Sequence, residues 1–244
     1  MSIQDVRIAT VNFLAHFGDI KQNLARTESW AAQLASQDVE IICFPELSIT
    51  GYSSKNEIKQ FVQPVPGTVT DRLMNISSQY GVWLLVGLPE KDKHNNIYIS
   101  QVVVSPEDFI GVYRKTILFS DEKRVYTPGS EIIVFKHRKI TFGIQICYES
   151  RFSNVSTALI SKGAELIFVP LGSLAGEPIA KKRKRFLDYL AKKAYNNSCY
   201  VACCNLICSQ AKNAGIALII DPKGEVITET VSKEEGAAIT LLKG

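Results

Sequence analysis

The sequence predicts one α/β domain, residues 1–244, with a mixed sheet system, and three observations carry that prediction. Short β-rich runs alternate with amphipathic helical stretches from end to end, strands outnumber helices, and no segment reads as a linker. VRIATVNF (6–13) reads as a strand. A helix over 19–36 follows Gly18 and Asp19 and sets Ile20, Leu24, Thr27, Ala31 and Leu34 near one face. VEIICF (39–44) is a second strand ending at Pro45. A helix over 68–80 closes at Gly81, and VWLLVGL (82–88) and IYISQVVV (97–104) are strands. Further strands are expected near 131–136 and 139–146, a helix near 150–162, and a strand at 165–170. The last block has a helix near 177–196 and strands at 199–204 and 215–220. After a turn over Asp221, Pro222, Lys223 and Gly224 come short strands at 225–229 and 237–241. βαββ units occur in both halves, which points to two related half-domains packed sheet to sheet.

Composition removes whole classes of function. With 46% hydrophobic and 21% charged residues the chain is neither disordered nor coiled coil. Its formal net charge of +4 is spread along the sequence, so nucleic acid is not expected as a partner. MSIQDVRIATVNF lacks the layout of a signal peptide, and no apolar run approaches the ~18 residues needed to cross a bilayer. The expectation is a cytoplasmic protein without membrane contact, its six cysteines free thiols.

Three residues stand where a β-run gives way to a loop: Glu46 after IICFP, Lys115 after IGVYR, and Cys147 after ITFGIQI. Reactive groups of α/β folds gather at the carboxyl ends of strands, so the three can converge on one cleft. A strand that runs from Cys147 into a turn and helix places the sulfur near a helix N-terminus, which favours a thiolate. An unassisted thiol is only about 3% ionised at pH 7, so a base is needed. His16, His94 and His137 lie in helix-start, turn and hairpin contexts. Glu46 can be the base if burial raises its pKa, and Lys115 can stabilise an oxyanion while holding Glu46 ionised. Taken singly, each has a bland reading: a small buried hydrophobe for the cysteine, a solvated loop residue for the glutamate or lysine.

The surrounding words decide between the readings. FPELSITGY (44–52), YRKTILF (113–119) and GIQICYESRF (143–152) resemble the glutamate, lysine and nucleophile motifs of the nitrilase, or carbon-nitrogen hydrolase, superfamily, in the same order and spacing. CYVACCN (199–205), VITET and EEGAAITLL are similar to its closing strands. The resemblance implies a four-layer αββα sandwich of two βαββ-type half-domains, amidase-like activity, and a Glu46–Lys115–Cys147 triad. It also implies a supporting Glu122 before Pro128 and Gly129, and the backbone N–H of Tyr148 as an oxyanion donor. The substrate implied is a small linear amide or N-carbamoyl compound. No cofactor or metal is expected, and the chain is expected to form a homodimer or larger homo-oligomer. Acyl transfer to an amine, nitrile hydrolysis and a silent binding role are the alternatives.

One departure stands out. Where the family reads Arg-Ala-x-Glu-Asn, this chain has Lys193, Ala194, Tyr195, Asn196 and Asn197. Cys199, Cys203, Cys204 and Cys208 read as strand and core residues rather than zinc ligands. Glu149 and Arg151 read as a structural ion pair or, alternatively, as pocket wall, and the run KKRKR (181–185) as a solvated helix face or, alternatively, a cleft mouth that attracts a carboxylate or phosphate.

Overall fold

Two sheets form because two sets of parallel strands each need helical crossovers. In the computed structural model, which describes residues 4–172, 178–207 and 215–243, β1 (Val6–Leu14), β2 (Ile41–Cys43) and β3 (Trp83–Lys91) run parallel. They are linked by α1 (Ile20–Ala35) and α2 (Thr68–Tyr80). Asp19 caps α1 by accepting from Gln22 N at 3.0 Å, and α2 ends on Gly81 in the left-handed region, φ 69°. β4 (Ile97–Val104) and β5 (Phe109–Arg114) add antiparallel strands.

The second half repeats the plan. β6 (Val134–His137) and β7 (Ile140–Ile144) are a hairpin, α3 (Ser153–Ser161) leads to β8 (Leu166–Leu171), and α4 (Ile179–Asn197) leads to β9 (Tyr200–Ile207). β7, β8 and β9 are parallel, while β10 (Gly215–Ile220) and β11 (Val226–Ser232) continue antiparallel. β12 (Gly236–Leu242) then crosses back and pairs with β1 in the first sheet, from Val6 opposite Leu242 to Asn12 opposite Gly236. The two sheets touch edgewise where Phe13 and Leu14 of β1 meet Leu206 and Ile207 of β9.

Alternation along the strands makes the layers. Ile42 faces α1 and α2 among Ala31, Leu34, Leu73 and Ile76, whereas Ile41 and Cys43 face the other sheet. Val201 and Cys203 face α3 and α4 among Leu159, Phe186 and Leu190, whereas Ala202 and Cys204 face inward. Phe142 and Phe168 fill the space between the sheets, giving the order helix, sheet, sheet, helix expected of the sandwich. Cys208 lies outside the described residues.

The structure differs from expectation in several places. The helix expected near 150–162 is divided by Phe152, whose extended backbone (φ −106°, ψ 113°) separates a 3₁₀ turn, Cys147–Arg151, from α3. The strand expected near 131–136 begins only at Val134. A further 3₁₀ turn, Ser120–Arg124, carries Glu122.

Candidate active site

Glu46 stands three residues beyond β2 on a tight turn. Leu47 adopts φ 52°, and the turn closes through Ser48 N to Pro45 O at 3.3 Å and Thr50 N to Leu47 O at 3.2 Å. The turn lies directly on β3, where Phe44 N donates to Leu85 O at 2.8 Å and Ile49 N to Gly87 O at 3.0 Å. That approach requires glycine at 87, since a Cβ there would stand 2.4 Å from Leu47 N and Pro45 O.

Lys115 follows β5 immediately and is fixed at both backbone groups: its N–H donates to Ile99 O and its carbonyl accepts from Gly129 N, each at 2.8 Å. Its side chain is fully buried, and Nζ lies 2.7 Å from Glu46 Oε1 and 2.8 Å from Glu122 Oε1. Glu122 is held in turn by the Tyr52 hydroxyl at 2.9 Å and the Phe119 N–H at 2.7 Å. One ammonium between two carboxylates satisfies the pairing a buried charge demands.

Cys147 opens the 3₁₀ turn after β7 with φ 51°, a left-handed conformation that is costly for a residue with a Cβ and is found at functional sites. The residue is partly exposed and packs against both the inter-sheet layer and the outer layer of the second sheet. Gly172 N–H, at the end of β8, points at the sulfur. A Cβ at Gly172 would fall 2.6 Å from Glu46 Oε2 and 2.7 Å from the Tyr52 ring, so the site requires glycine there as well. Gly172 belongs to none of the sequence motifs, although a glycine ending the apolar run LIFVPL is a signal the sequence does carry.

The charges depart from expectation at one point. Burial is the largest influence on Cys147 and, reinforced by the Glu46 carboxylate, pushes its thiol up to about 12, against the pull of Lys115 and the Gly172 N–H. The resting group is therefore a thiol rather than the thiolate a helix N-terminus was expected to produce. Burial also raises Glu46 to about 7; Lys115 opposes the rise and Glu122 adds to it through like charge. Glu46 Oε2 is buried without a hydrogen bond of normal geometry, and the approach of the Cys147 thiol favours its charged form. Lys115 is held above the ordinary lysine range, because the surrounding negative charge outweighs desolvation, and so remains an ammonium. A base that titrates near neutrality, beside a protonated nucleophile and a permanent cation, can move one proton and stabilise one negative oxygen.

Glu149 is not paired with Arg151. Its buried carboxylate accepts from Ile146 N at 2.7 Å, from Thr116 N and Oγ1 at 2.6 Å each, and from Tyr113 OH at 2.9 Å. It thereby ties the turn that carries Cys147 to the segment that follows Lys115. Tyr148 presents its ring edge-to-face to Phe119 and Phe152, each at 5.2 Å, and among the described residues its backbone N–H makes no hydrogen bond. No histidine is hydrogen-bonded to Glu46, Lys115, Glu122 or Cys147 among the described residues; His137 packs on Trp83 at 5.2 Å. The run KKRKR is not one solvated face: Lys182 is fully buried, Arg183 pairs with Glu229 at 2.7 Å, and Lys181 and Lys184 are exposed.

An αββα sandwich whose strand ends bring a carboxylate, an ammonium and a thiol together has the parts of a hydrolase built around a buried acid–base pair. The sequence profile of the family described as Carbon-nitrogen hydrolase matches residues 7–243, and the chain belongs to that family. It is 29% identical over 240 residues to a nitrilase of Pyrococcus abyssi, covering 96% of this chain and 88% of that one. It is 28% identical over 234 residues to the 2-oxoglutaramate amidase of Bacillus subtilis, covering 94% and 87%. Among solved structures, Saccharomyces cerevisiae Nit3, a member of branch 10 of the nitrilase superfamily, superposes with TM-score 0.87 at 21% identity over 98% of this chain and 90% of that one. An amidase from Nesterenkonia sp. superposes with TM-score 0.86 at 22% identity, covering 100% and 92%. The fold is that of the nitrilase superfamily, and the chain is a carbon-nitrogen hydrolase with amidase-like and nitrilase-like relatives. No helix among the described residues is long and apolar enough to cross a membrane.

Proposed function

We propose that the protein hydrolyses a small linear amide or N-carbamoyl compound through a thioester on Cys147, releasing ammonia or an amine. The observation that carries this reading is the Lys115 ammonium held between Glu46 and Glu122, with the Cys147 thiol beside the free oxygen of Glu46. Glu46 takes the thiol proton as sulfur attacks the amide carbon. The negative oxygen that forms is met by the Lys115 ammonium and the Tyr148 N–H. The intermediate collapses with cleavage of the C–N bond, the proton passing from Glu46 to the departing nitrogen. A water then gives its proton to Glu46 and attacks the thioester. Collapse frees the acid and returns the proton to sulfur. Glu122 positions Lys115 and raises the proton affinity of Glu46. Residues 1–244 act in this reading as one hydrolase domain, cytoplasmic and paired as a homodimer or larger homo-oligomer.

Cys147→Ala is expected to abolish ammonia release from every amide cleaved by the wild type, with unchanged circular dichroism. Intact-protein mass spectrometry of Glu46→Gln incubated with such an amide is expected to show one added acyl group, located after digestion on the peptide containing Cys147. Turnover by Cys147→Ala, or acylation at another residue, overturns the assignment.

A further inference from the structure

Tyr189 and Lys193 stand one helical turn apart on α4, and both reach toward the segment that carries the nucleophile. Lys193 is buried, yet it has no carboxylate within ion-pair distance among the described residues. Burial lowers its amine to about 8, against an opposing effect of Cys199, so it is an ammonium at neutral pH. Among the described residues its side chain donates to one group, Ser156 Oγ of α3, at 2.5 Å. A buried cation facing a neutral hydroxyl is costly, and its place on a relay supplies the reason for it.

The relay leads to the nucleophile turn. Ser156 Oγ donates to Gln145 Oε1 at 3.1 Å, and Gln145 Nε2 reaches the carbonyls of Glu149 and Phe152 at 3.5 Å each. Gln145 is itself fixed to the second sheet, its N–H donating to Phe168 O at 2.9 Å. A second relay runs from Tyr189, whose hydroxyl meets the Ser150 side chain. Ser150 Oγ in turn donates to the Cys147 carbonyl at 2.6 Å. The 3₁₀ turn is thus gripped at its first carbonyl by one relay and at Glu149 and Phe152 by the other. Cys147 needs such a grip, since a left-handed residue with a Cβ persists only where its surroundings over-determine it.

We infer that Tyr189 and Lys193 are positioning residues: one face of α4 holds Cys147 in its left-handed conformation through Ser150 on one side and Ser156 and Gln145 on the other. Neither residue touches the reacting atoms; each sets where the sulfur stands relative to Glu46 and Lys115. The inference rests on the amidase reading above, for which that placement is the rate-setting geometry.

The test measures kcat and KM for an amide that the wild type cleaves. Lys193→Met and Tyr189→Phe are each expected to fold, by circular dichroism, and to lower kcat about tenfold with KM within about twofold, short of the ~10² that a full ~1 Å displacement costs. Together they are expected to lower kcat by about 10², because the relays reach the turn at different points. Adding Lys193→Met to Ser156→Ala is expected to cost nothing further, since without Ser156 the lysine has no route to the turn. Lys193→Arg keeps a donor and is expected to restore kcat to within about threefold of wild type. Lys192→Met, exposed and one position earlier, is expected to change nothing. Alkylation of Cys147 by iodoacetamide at neutral pH, read by peptide mass spectrometry, needs no amide. It is expected to slow roughly tenfold in Lys193→Met, because a thiol drawn away from Glu46 loses its base. A lowered melting temperature with kcat and alkylation rate at wild-type values assigns both residues to stability alone and overturns the inference. A wild type that cleaves no amide overturns the amidase reading, while the alkylation rates still decide whether α4 positions the sulfur.

Discussion

Burial pushes the proton affinities of Glu46 and Cys147 in the same direction. With Glu46 near 7 and the thiol near 12, the resting site at neutral pH holds a protonated sulfur and a carboxyl that is about half ionised. Only the ionised carboxylate can accept the thiol proton, so kcat/KM for a neutral amide is expected to rise with pH through about 7 and level off above it. The sign follows from the raised value: acidification below about 7 protonates Glu46 and removes the base. Glu46→Gln is expected to slow turnover by roughly 10² to 10⁴ and to erase that inflection. An unchanged inflection in the variant would assign the titration to another group. That Glu46, Lys115 and Cys147 would meet was legible in the sequence, because each interrupts a β-run and sits in a quotable motif. The protonation state of the sulfur was not, because it depends on how deeply Cys147 is enclosed by residues such as Glu46 and Gly172 that lie far along the chain.

At the scale of the element, the turn Cys147–Arg151 is shaped by an acid whose role the sequence conceals. Glu149 stands two residues before Arg151, and adjacency invites a pairing; its partners Thr116 and Tyr113 are 33 and 36 residues away. Every one of those contacts donates to the carboxylate, with Thr116 and Tyr113 on Oε1 and Ile146 N on Oε2. An amide in its place must set an NH₂ against one set of donors. Glu149→Gln is therefore expected to remain folded while shifting Cys147 relative to Lys115, with kcat/KM lowered by about 10², the cost of a displacement near ~1 Å. Thermal melting separates this from a merely structural role: a large fall in melting temperature with activity preserved at low temperature would reject the positioning function. α4 offers the opposite lesson. Lys182, Phe186, Leu190 and Lys193 recur at helical spacing on its buried face. The basic run hid the first of them, and the burial of Lys193, which donates to Ser156 at 2.5 Å, was equally concealed.

At the scale of the whole molecule, the alternation of strands and helices announced the layers, but not which strands would be neighbours. β12 could have extended the second sheet, to which it is adjacent in sequence. It returns instead to β1, and β1 also meets β9, so the first strand is pinned by the last and touches both sheets. Strand partnership of this kind is a long-range choice that local patterning does not encode. It has a thermodynamic consequence, since neither sheet can be removed without exposing the layer between them. Phe142 lies at the centre of that layer, 5.4 Å from the Phe168 ring, 5.6 Å from Phe135 and 6.3 Å from Trp83. Phe142→Ala leaves a cavity the surrounding rings cannot fill and is expected to cost about 3–5 kcal/mol. In a chain of this length that lowers the melting temperature by on the order of 10 °C. Because the layer belongs to both sheets, the loss is expected in a single cooperative transition, with far-ultraviolet circular dichroism and tryptophan fluorescence falling together. Two separated transitions, one moved by the substitution and one unmoved, would show that the halves fold independently and that the inter-sheet layer does not unite them.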